Sequence, residues 1–569
     1  MRRLSALGSV FAAGAAFGCS STGPNPGSGP LPSPSVACAS VAALGLAAGE
    51  HVVLDPASNK GCVRFPAAGG SGAEYLAVLV STTSARSTNG VQGGYLLHTS
   101  TPAVALEMPA APRVVVETPR AEAPHWSNAA RFDAMLRERE RELLADPRNR
   151  ALPLAAPEIA AAPPQVGDTN TYKVCGDITC STFVTVTAVV KFVGQHVAVI
   201  LDTSVPTNDP LQPADFAELG NAFDQYHYPI DTTAFGRESD LDANGVVKIL
   251  LTDGVNALTP DCTNGRIIGF FFGGDLLTGA NSNHGEIFYT LVPAPATAHC
   301  TAIGRRAVLD NLKPTLIHEF QHMISFNQHR LLRGGSTEET WLNEAMSHFA
   351  EELGGRLVPD SECTKFGFPS CRSQYTSGDI INAYDYLSDP ESFFLFPGTN
   401  SSGTLEERGA EWLFLRWSLD HFSTDTILAT QTTRALDGTS QTGTANIAAV
   451  TGGSVPTMIA EAMMAYYLDD GTELPVEATG LLRLKSWGLR SIWTNPANAQ
   501  FFPGGFPIVP DQVGTSYVRI GTLLAGSGRH FLVTQGANGV PVDMQVVKDS
   551  SGAALSATLQ SRVGVVRIR

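Results

Sequence analysis

The most informative segment of this chain is TLIHEFQHMISF, residues 315–326. His318 and His322 are four residues apart, so a helix puts both imidazoles on one face, where they can share one tetrahedral metal ion. Glu319 lies beside the first histidine, where a carboxylate can take a proton from water activated by the metal. The flanking residues are apolar, which is typical of a buried helix. The pattern therefore predicts a zinc-binding helix rather than a surface helix with two unrelated histidines.

Two histidines leave a catalytic zinc ion one protein ligand short. A third histidine in the pattern H-E-x-x-H-x-x-G-x-x-H is excluded, because Ser325 and Gln328 stand where Gly and His would be. The next predicted helix, TWLNEAMSHFAEEL at 340–353, carries Glu344 inside its apolar stripe. A buried carboxylate needs a partner, and zinc is a suitable one. We therefore predict that Glu344 completes the ligand set.

The two segments together resemble the gluzincin metallopeptidases, the thermolysin-like clan, and in detail the hyicolysin-type neutral metalloprotease family. HEFQHMISF and TWLNEAMSHFAEE are similar to the zinc helix and the glutamate helix of that family. Weaker similarity is found at 236–253 and 269–289, and the resemblance covers roughly 180–475. It implies a thermolysin-like (zincin) α+β catalytic core. It also implies one catalytic Zn²⁺ on His318, His322 and Glu344, with Glu319 as the general base.

One position departs from this family pattern. Thermolysin-like enzymes carry Asp four residues after the ligand glutamate, where it orients the first histidine, and this chain has His348 there. The orienting carboxylate therefore comes from elsewhere or is missing. A group that stabilises the oxyanion is also expected beside the metal. For that role the candidates are His348, Tyr384, Tyr386 and His421.

The segment NSNHGEIFY, at 281–289, predicts a strand that precedes the zinc helix. The resemblance implies that such an enzyme holds an extended substrate against an edge strand beside the zinc. We therefore take Asn283, Glu286 and Phe288 as candidate residues of that substrate edge strand. An ordinary core strand is the alternative interpretation.

Asp240, Asp242 and Asn244 precede a glycine in the arrangement that opens a calcium loop. Leu251 stands where an EF-hand has its bidentate glutamate, so the pattern is incomplete. An Asx-rich turn before a strand explains the same residues. Ca²⁺ therefore remains a second candidate cofactor beside zinc.

Residues 1–18 have the pattern of a secretory signal peptide, with Arg2 and Arg3 before a short apolar run. The run is shorter than the roughly 20 residues of a membrane-spanning helix. Cys19 follows Ala-Phe-Gly and resembles a bacterial lipobox cysteine, although Ala16 stands where Leu is usual. We predict export from a bacterium, with lipidated Cys19 and a flexible tether at 19–35 anchoring the chain at the envelope, in the outer membrane. Plain secretion is the alternative.

The chain contains nine cysteines, and setting Cys19 aside leaves an even number. In an exported chain, an even number of cysteines predicts disulfides. Pairing each cysteine with its neighbour in sequence keeps every bridge inside one predicted domain. The predicted bridges are Cys38–Cys62, Cys175–Cys180, Cys262–Cys300 and Cys363–Cys371.

With 569 residues the chain is too long for a single core, so several domains are expected. We predict a small β-sandwich-like domain at 36–105 and another at 510–569, flanking the α+β core. The core divides into a catalytic subdomain at 166–335 and a helical subdomain at 336–500. Residues 106–165 contain the charged run MLREREREL and are interpreted as a linker or a pro-segment. On this interpretation, residues 36–165 are dispensable for the chemistry but matter for export, tethering or latency.

These patterns predict an exported zinc metalloendopeptidase that acts on proteins or peptides. The net charge of −16 argues against a nucleic-acid partner, and the only predicted membrane contact is the N-terminal lipid anchor. The oligomeric state is not indicated. One alternative is an inactive zincin-fold lipoprotein that serves as a surface adhesin or scaffold. Another is a peptidase that acts on cell-wall cross-links.

The ligand assignment can be tested by replacing Glu344. We expect Glu344→Ala to lower the zinc content strongly, because the ion loses one of three protein ligands. Metal analysis of the purified protein measures this. An unchanged zinc content would remove Glu344 from the ligand set.

Overall fold

The computed structural model describes residues 34–100, 113–116, 127–150, 162–206, 208–399, 401–471, 474 and 480–569. The predicted signal peptide, Cys19 and nearly all of the predicted tether lie outside these residues. Within these ranges, no single helix is long and apolar enough to span a membrane. The helices Gly443–Thr451 and Val455–Leu468 reach that length and hydropathy only as a pair, which is bent by 86°.

Both ends of the chain contribute strands to the same two five-stranded sheets, which form one β domain. In spatial order, the first sheet contains His51–Leu54, Arg562–Arg567, Ala73–Val80, Gly528–Gln535 and Asp511–Val513. The second sheet contains Cys62–Phe65, Val542–Val547, Gln92–Ser100, Tyr517–Leu524 and Arg113–Val116. The prediction of two separate β domains at 36–105 and 510–569 is therefore wrong.

The physical reason is that neither segment by itself provides the hydrogen-bond partners that its central strands need. Ala73–Val80 lies between two C-terminal strands, and Gln92–Ser100 does the same in the second sheet. A central strand needs hydrogen-bond partners on both sides. The alternating patterns identify individual strands locally, but they carry no information about which distant strand lies next to them.

A six-stranded mixed sheet forms the first part of the catalytic region. Its spatial order is Gly269–Phe271, Ile287–Thr290, Val247–Leu251, Val197–Asp202, Phe183–Val193 and Thr169–Cys175. Gly269–Phe271 is called here the edge strand, because among the described residues it pairs with one strand only, Ile287–Thr290, in antiparallel.

The prediction that the substrate edge strand contains Asn283, Glu286 and Phe288 is wrong. Ile287–Thr290 is an internal strand, since it pairs with Val247–Leu251 on its other side. Phe288 is completely buried, and the side chain of Asn283 bonds to the backbone of Lys173. Two short apolar strands look alike in the sequence, and only their pairing decides which one is at the edge.

Three long helices build the rest of the candidate site. Arg305–Ser325 is called the histidine helix, and a π-helical turn at Phe326–Leu331 extends it. Thr340–Leu357, the glutamate helix, packs against the histidine helix, and Leu405–Phe422, the arginine helix, packs against the glutamate helix. The other helices of at least five residues that the structure describes after residue 162 are Pro213–Ala222, Phe223–His227 (π), Tyr228–Ala234, Asp253–Ala257, Cys371–Tyr375, Ser377–Ser388, Thr430–Asp437, Gly443–Thr451, Val455–Leu468 and Leu489–Trp493.

Pro314 lies inside the histidine helix and has no N–H to donate to the carbonyl of Asp310. Gln374 supplies the missing bond, because its Nε2 donates to that carbonyl oxygen at 3.1 Å. The helix continues past the proline with Leu316, Ile317 and other apolar side chains buried. His318 therefore follows one turn later in regular helical geometry.

The predicted charged helix is present as Asn128–Ala145, called here the charged helix, and Pro147–Arg150 follows it. It is not a free connection between domains. Its N-terminus is capped by the side chain of Ser127, and Phe132 and Leu136 are buried against the catalytic region.

The four disulfides of the structure are the four predicted pairs, which are Cys38–Cys62, Cys175–Cys180, Cys262–Cys300 and Cys363–Cys371. Each bridge joins two cysteines that follow one another in the chain with no other cysteine between them. Four such bridges fit a protein that folds in an oxidising compartment.

The β domain is fixed to the helical region by buried polar contacts. Arg519 forms an ion pair with Glu391, and the imidazole Nε2 of His530 is 2.8 Å from the carbonyl oxygen of Met463. The helix Val455–Leu468 packs on strands from both ends of the chain. The described strands between 51 and 100 are therefore integral to the fold, and the expectation that 36–165 is dispensable for the chemistry stays a prediction.

A chain that begins at residue 166 should be insoluble or lack the β domain. Its C-terminal strands would lose their N-terminal neighbours and leave unpaired backbone edges. Solubility and far-ultraviolet circular dichroism measure this. Co-expression with a separate 36–126 fragment should restore solubility. A soluble truncated chain with an unchanged unfolding midpoint would contradict the shared β domain.

Candidate metal centre

His318, His322 and Glu344 converge where the histidine helix and the glutamate helix cross. The Nε2 atoms of the two histidines are 3.2 Å apart. Glu344 Oε2 lies 3.6 Å from His318 Nε2, and Glu344 Oε1 lies 3.4 Å from His322 Nε2. All three side chains are buried. The sequence-predicted residues are thus brought together with their lone-pair atoms facing one point.

These distances suit a tetrahedral zinc ion. Zinc–ligand bonds of about 2.0–2.1 Å at tetrahedral angles put neighbouring ligand atoms about 3.3 Å apart. The three ligand-atom separations here are close to that value. Glu344 Oε1 is buried and accepts no hydrogen bond from any described residue, which leaves it available to a metal ion. A set of two imidazoles and one carboxylate is typical of a catalytic zinc site with an open fourth position.

Glu351 orients the first histidine. Its Oε1 lies 2.7 Å from His318 Nδ1, so the ring presents Nε2 to the metal position. Glu351 is two helical turns beyond Glu344 on the same helix and therefore on the same face. The orienting carboxylate that is absent at position 348 is thus supplied from one turn further along.

His348 supports Glu351 from its other side. The Nδ1 atom of His348 lies 3.1 Å from Glu351 Oε1 and 2.8 Å from Asp379 Oδ1. The carboxylate of Asp379 and that of Glu351 raise the pKa of His348 to about 9 against the opposing effect of burial. His348 therefore belongs to a buried chain of charges behind His318. Its imidazole does not occupy the oxyanion position.

His318, His348 and Glu351 form a second group close enough to hold a metal ion, but it would use His318 Nδ1. His322 lines the cavity described below, whereas His348 and Glu351 do not. A substrate can therefore approach the ligand set that contains His322 and Glu344. That set is therefore the better candidate for a metal ion.

Arg408, on the arginine helix, balances the charge of Glu344. Its Nη1 lies 2.9 Å from Glu344 Oε2, and its Nη2 lies 3.1 Å from Oδ2 of Asp133 on the charged helix. Burial opposes ionisation of Glu344, but the positive charges of Arg408 and of protonated His318 hold its pKa well below the usual range. Neither Arg408 nor Asp133 carries a motif, so the sequence alone did not identify them.

Glu319 is held beside the metal position by the edge strand. Its Oε2 accepts a hydrogen bond from the backbone N–H of Phe271 at 2.9 Å. Burial is the largest of the effects that raise the pKa of Glu319 to about 7; His318 opposes the rise, and the carboxylates of Asp133 and Glu344 contribute to it. A carboxylate with a pKa near neutrality can both accept and return a proton.

The two histidines differ in protonation. Burial lowers the pKa of His322 well below its usual value, so its ring is neutral, as metal binding requires. Burial also opposes the charged form of His318, but Glu344 and Glu351 raise its pKa well above its usual value. The carboxylates around His318 thus favour a positive charge on its ring. A metal ion can supply that charge in place of the proton on the imidazole.

A cavity of about 830 Å³ opens beside His322. Its wall includes Asn343 of the glutamate helix and Phe326 at the end of the histidine helix. Arg137 and Glu140 of the charged helix line the facing wall. The metal position is therefore reachable from one side, while the charged helix bounds that opening.

The prediction that Tyr384 or Tyr386 stabilises the oxyanion is wrong. The hydroxyl of Tyr386 contacts the Met463 sulfur, and that of Tyr384 accepts a hydrogen bond from the N–H of Gly504. His421 lies 2.8 Å from the carbonyl oxygen of Arg483 and is likewise turned elsewhere. All three lie on helices, and the sequence does not show which way their side chains face.

The candidate calcium residues form a turn that is joined by a distant glutamate. Carboxylate oxygens of Asp240, Asp242 and Glu286 lie within 4.8 Å of one another. Asn244 does not join this group: its side chain bonds to Asp242 and to the N–H of Val246. Lys248 Nζ lies 3.0 Å from Asp242 and offers a competing positive charge. Calcium therefore stays a prediction.

The chain is similar over part of its length to a known protease. Over 137 residues it is 30% identical to Neutral metalloprotease ShpI of Staphylococcus hyicus. The alignment covers 24% of this chain and 30% of that protein, so the chain spans less than a third of the relative's length. No protein-family model matches the chain. The similarity supports a relation to a metalloprotease, while membership of the gluzincins remains a prediction.

We expect Glu351→Gln to weaken zinc binding by about 10- to 100-fold, because the amide orients and polarises His318 less strongly than a carboxylate does. Competition with a chromophoric chelator measures the affinity. Glu362→Gln, on an exposed short helix, is the matched control and should leave the affinity unchanged. Equal affinities in the two variants would show that Glu351 does not support the metal.

Proposed function

We propose that this chain is a zinc-dependent endopeptidase of the gluzincin type that hydrolyses peptide bonds in proteins. The observation that carries the proposal is the position of Glu319. Its carboxylate is anchored to the edge-strand residue Phe271, directly beside the converging side chains of His318, His322 and Glu344. A metal-binding site without hydrolytic chemistry has no need of such a base. The partial similarity to a neutral metalloprotease supports the same class.

His318, His322 and Glu344 would hold the zinc ion. When bound, zinc supplies a Lewis acid that polarises the scissile carbonyl and lowers the pKa of water. Glu319 accepts the proton of the attacking water and returns it to the leaving amine. The N–H of Phe271 keeps the carboxylate turned toward the reacting atoms during both transfers. Glu351 keeps the ring of His318 in place.

The edge strand is the proposed substrate-binding element in place of 283–289. The N–H of Phe271 is used by Glu319, whereas its carbonyl and the N–H of Gly273 both face away from the sheet, toward the charged helix. An extended peptide can add to such an edge through its main chain, largely independently of its side chains. This mode suits an enzyme that cuts within protein chains.

We further propose that the protein acts outside the cytoplasm on protein substrates. Four disulfides fit an oxidising compartment. The lipid anchor at Cys19 and a location in the outer membrane are predictions from the sequence alone. Globomycin-sensitive processing and lipid labelling of the expressed protein would test the anchor.

Glu319→Gln should retain zinc and the fold but lower the cleavage of casein by about 10²–10⁴-fold, because the amide cannot accept the proton. Casein hydrolysis, zinc content and the thermal unfolding midpoint are measured together. The control is Glu362→Gln, which should cleave casein like the wild type. If the zinc-loaded Glu319→Gln variant cleaves within a few-fold of the wild type, Glu319 is not the base. If the zinc-loaded wild type cleaves no protein, the proposed function is wrong.

A further inference from the structure

The charged helix, Asn128–Ala145, lies across the open side of the edge strand. Arg137 Nη2 donates to the carbonyl oxygen of Phe271 at 3.0 Å, and the N–H of Gly273 donates to Glu140 Oε1 at 2.6 Å. Phe271 ends the edge strand, and Gly273 begins the 3-10 helix Gly273–Leu276. Because Phe272 between them is extended, both backbone groups face the charged helix. These are the groups to which a substrate strand would bond. Two side chains of the charged helix therefore use the hydrogen bonds that a substrate would need.

The same helix extends to the ligand set. Asp133 Oδ2 lies 3.1 Å from Arg408 Nη2, while the other terminal nitrogen of Arg408 pairs with Glu344. The hydroxyl of Ser402 donates to the carbonyl oxygen of Ala130, one helical turn earlier. A carboxylate of the charged helix thus shares the guanidinium that balances the charge of the ligand glutamate.

The two faces of the charged helix differ in how far their Arg–Glu pairs are exposed to solvent. Toward the site, Arg137 and Glu140 are paired with each other at 2.8 Å and are 9% and 2% exposed. On the outer face, Arg139 and Glu142 form a similar pair, but their side chains are 35% and 55% exposed. Burying a charged pair is costly unless its polar atoms find partners. Here Arg137 Nη2 donates to the carbonyl of Phe271 and Glu140 accepts from the N–H of Gly273, so the pair matches the backbone at 271–273.

Both ends of the charged helix are fixed on either side of the cleft. At its N-terminal end, Asn128 Nδ2 donates to the carbonyl oxygens of Asp261 and Gly265. Beyond its C-terminal end, the amide group of Asn149 forms hydrogen bonds with the backbone of Thr278 in both directions. The helix is thus held in register along the edge strand.

We infer that the charged helix is an intramolecular inhibitor that occupies the binding position of an extended peptide substrate. The inference rests on the proposed peptidase function and adds how that same site is regulated. The edge strand becomes available to a protein chain when the helix leaves it. The cavity beside His322 stays open to small molecules in either state.

The test compares two double variants of the zinc-loaded full-length protein. Arg137→Met with Glu140→Leu removes the polar groups that contact the edge strand but keeps side chains of similar size. Arg139→Met with Glu142→Leu makes the same changes, at the same spacing, on the exposed face. The readout is kcat/KM for an internally quenched octapeptide, with thermal unfolding as the check on folding.

We expect the first variant to raise kcat/KM about tenfold or more, since two buried backbone groups lose their partners in the covered state. The second variant should stay within about twofold of the wild type, as surface substitutions usually do. Equal, measurable turnover in all three proteins would overturn the inhibitory role and leave the peptidase function standing. No turnover in any zinc-loaded protein would overturn both.

A second measurement needs no variant. It tests whether a peptide ligand displaces the charged helix, even if the first variant fails to fold. Amide hydrogen exchange over 128–145 is compared in the wild type with and without a saturating tetrapeptide hydroxamate, which is long enough to pair with 269–273. We expect exchange in the helix to rise with this ligand and to stay unchanged with acetohydroxamic acid, which cannot reach the strand edge. Unchanged exchange with the tetrapeptide hydroxamate bound would overturn the inference.

Discussion

The buried charge of Glu344 is the constraint around which the candidate site is organised. A carboxylate that is 1% exposed must be balanced by nearby positive charge, or it destabilises the fold strongly. Here the balance comes from Arg408 at 2.9 Å and from His318 at 3.6 Å, and the neutral ring of His322 lies 3.4 Å away. The histidine, glutamate and arginine helices must therefore meet at one point. A zinc ion in the same place adds positive charge without disturbing this packing.

Phe271 links the proposed chemistry to its proposed control. Its N–H fixes the carboxylate of Glu319, and its carbonyl accepts a hydrogen bond from Arg137 of the charged helix. One residue of a three-residue strand thus contacts both the base and the segment that covers the cleft. Because the strand is at the edge of the sheet, the same backbone positions can serve either the helix or a substrate. Displacement of the helix would leave the contact with Glu319 intact.

The β domain joins the two ends of the chain and is packed on the helical region. Strands from 51–116 and from 511–567 are interleaved in both sheets, so neither end forms a stable sheet without the other. The ion pair of Arg519 with Glu391 and the packing of Val455–Leu468 connect this domain to the helices that carry the site. A predicted anchor at Cys19 would therefore attach to a domain that is rigidly connected to the catalytic region.

The features that the sequence determined by itself are local ones. The spacing of His318 and His322, the position of Glu344 in an apolar stripe and the four short-range disulfides follow from helical periodicity and from closeness in the chain. Glu351 was within reach of the same argument, since it lies two turns beyond Glu344. The edge strand, the shared β domain, the partnership of Arg408 with Glu344 and the place of the charged helix were decided only by the tertiary structure. Each of these depends on contacts between residues far apart in the chain, and no local periodicity encodes which distant surfaces will meet.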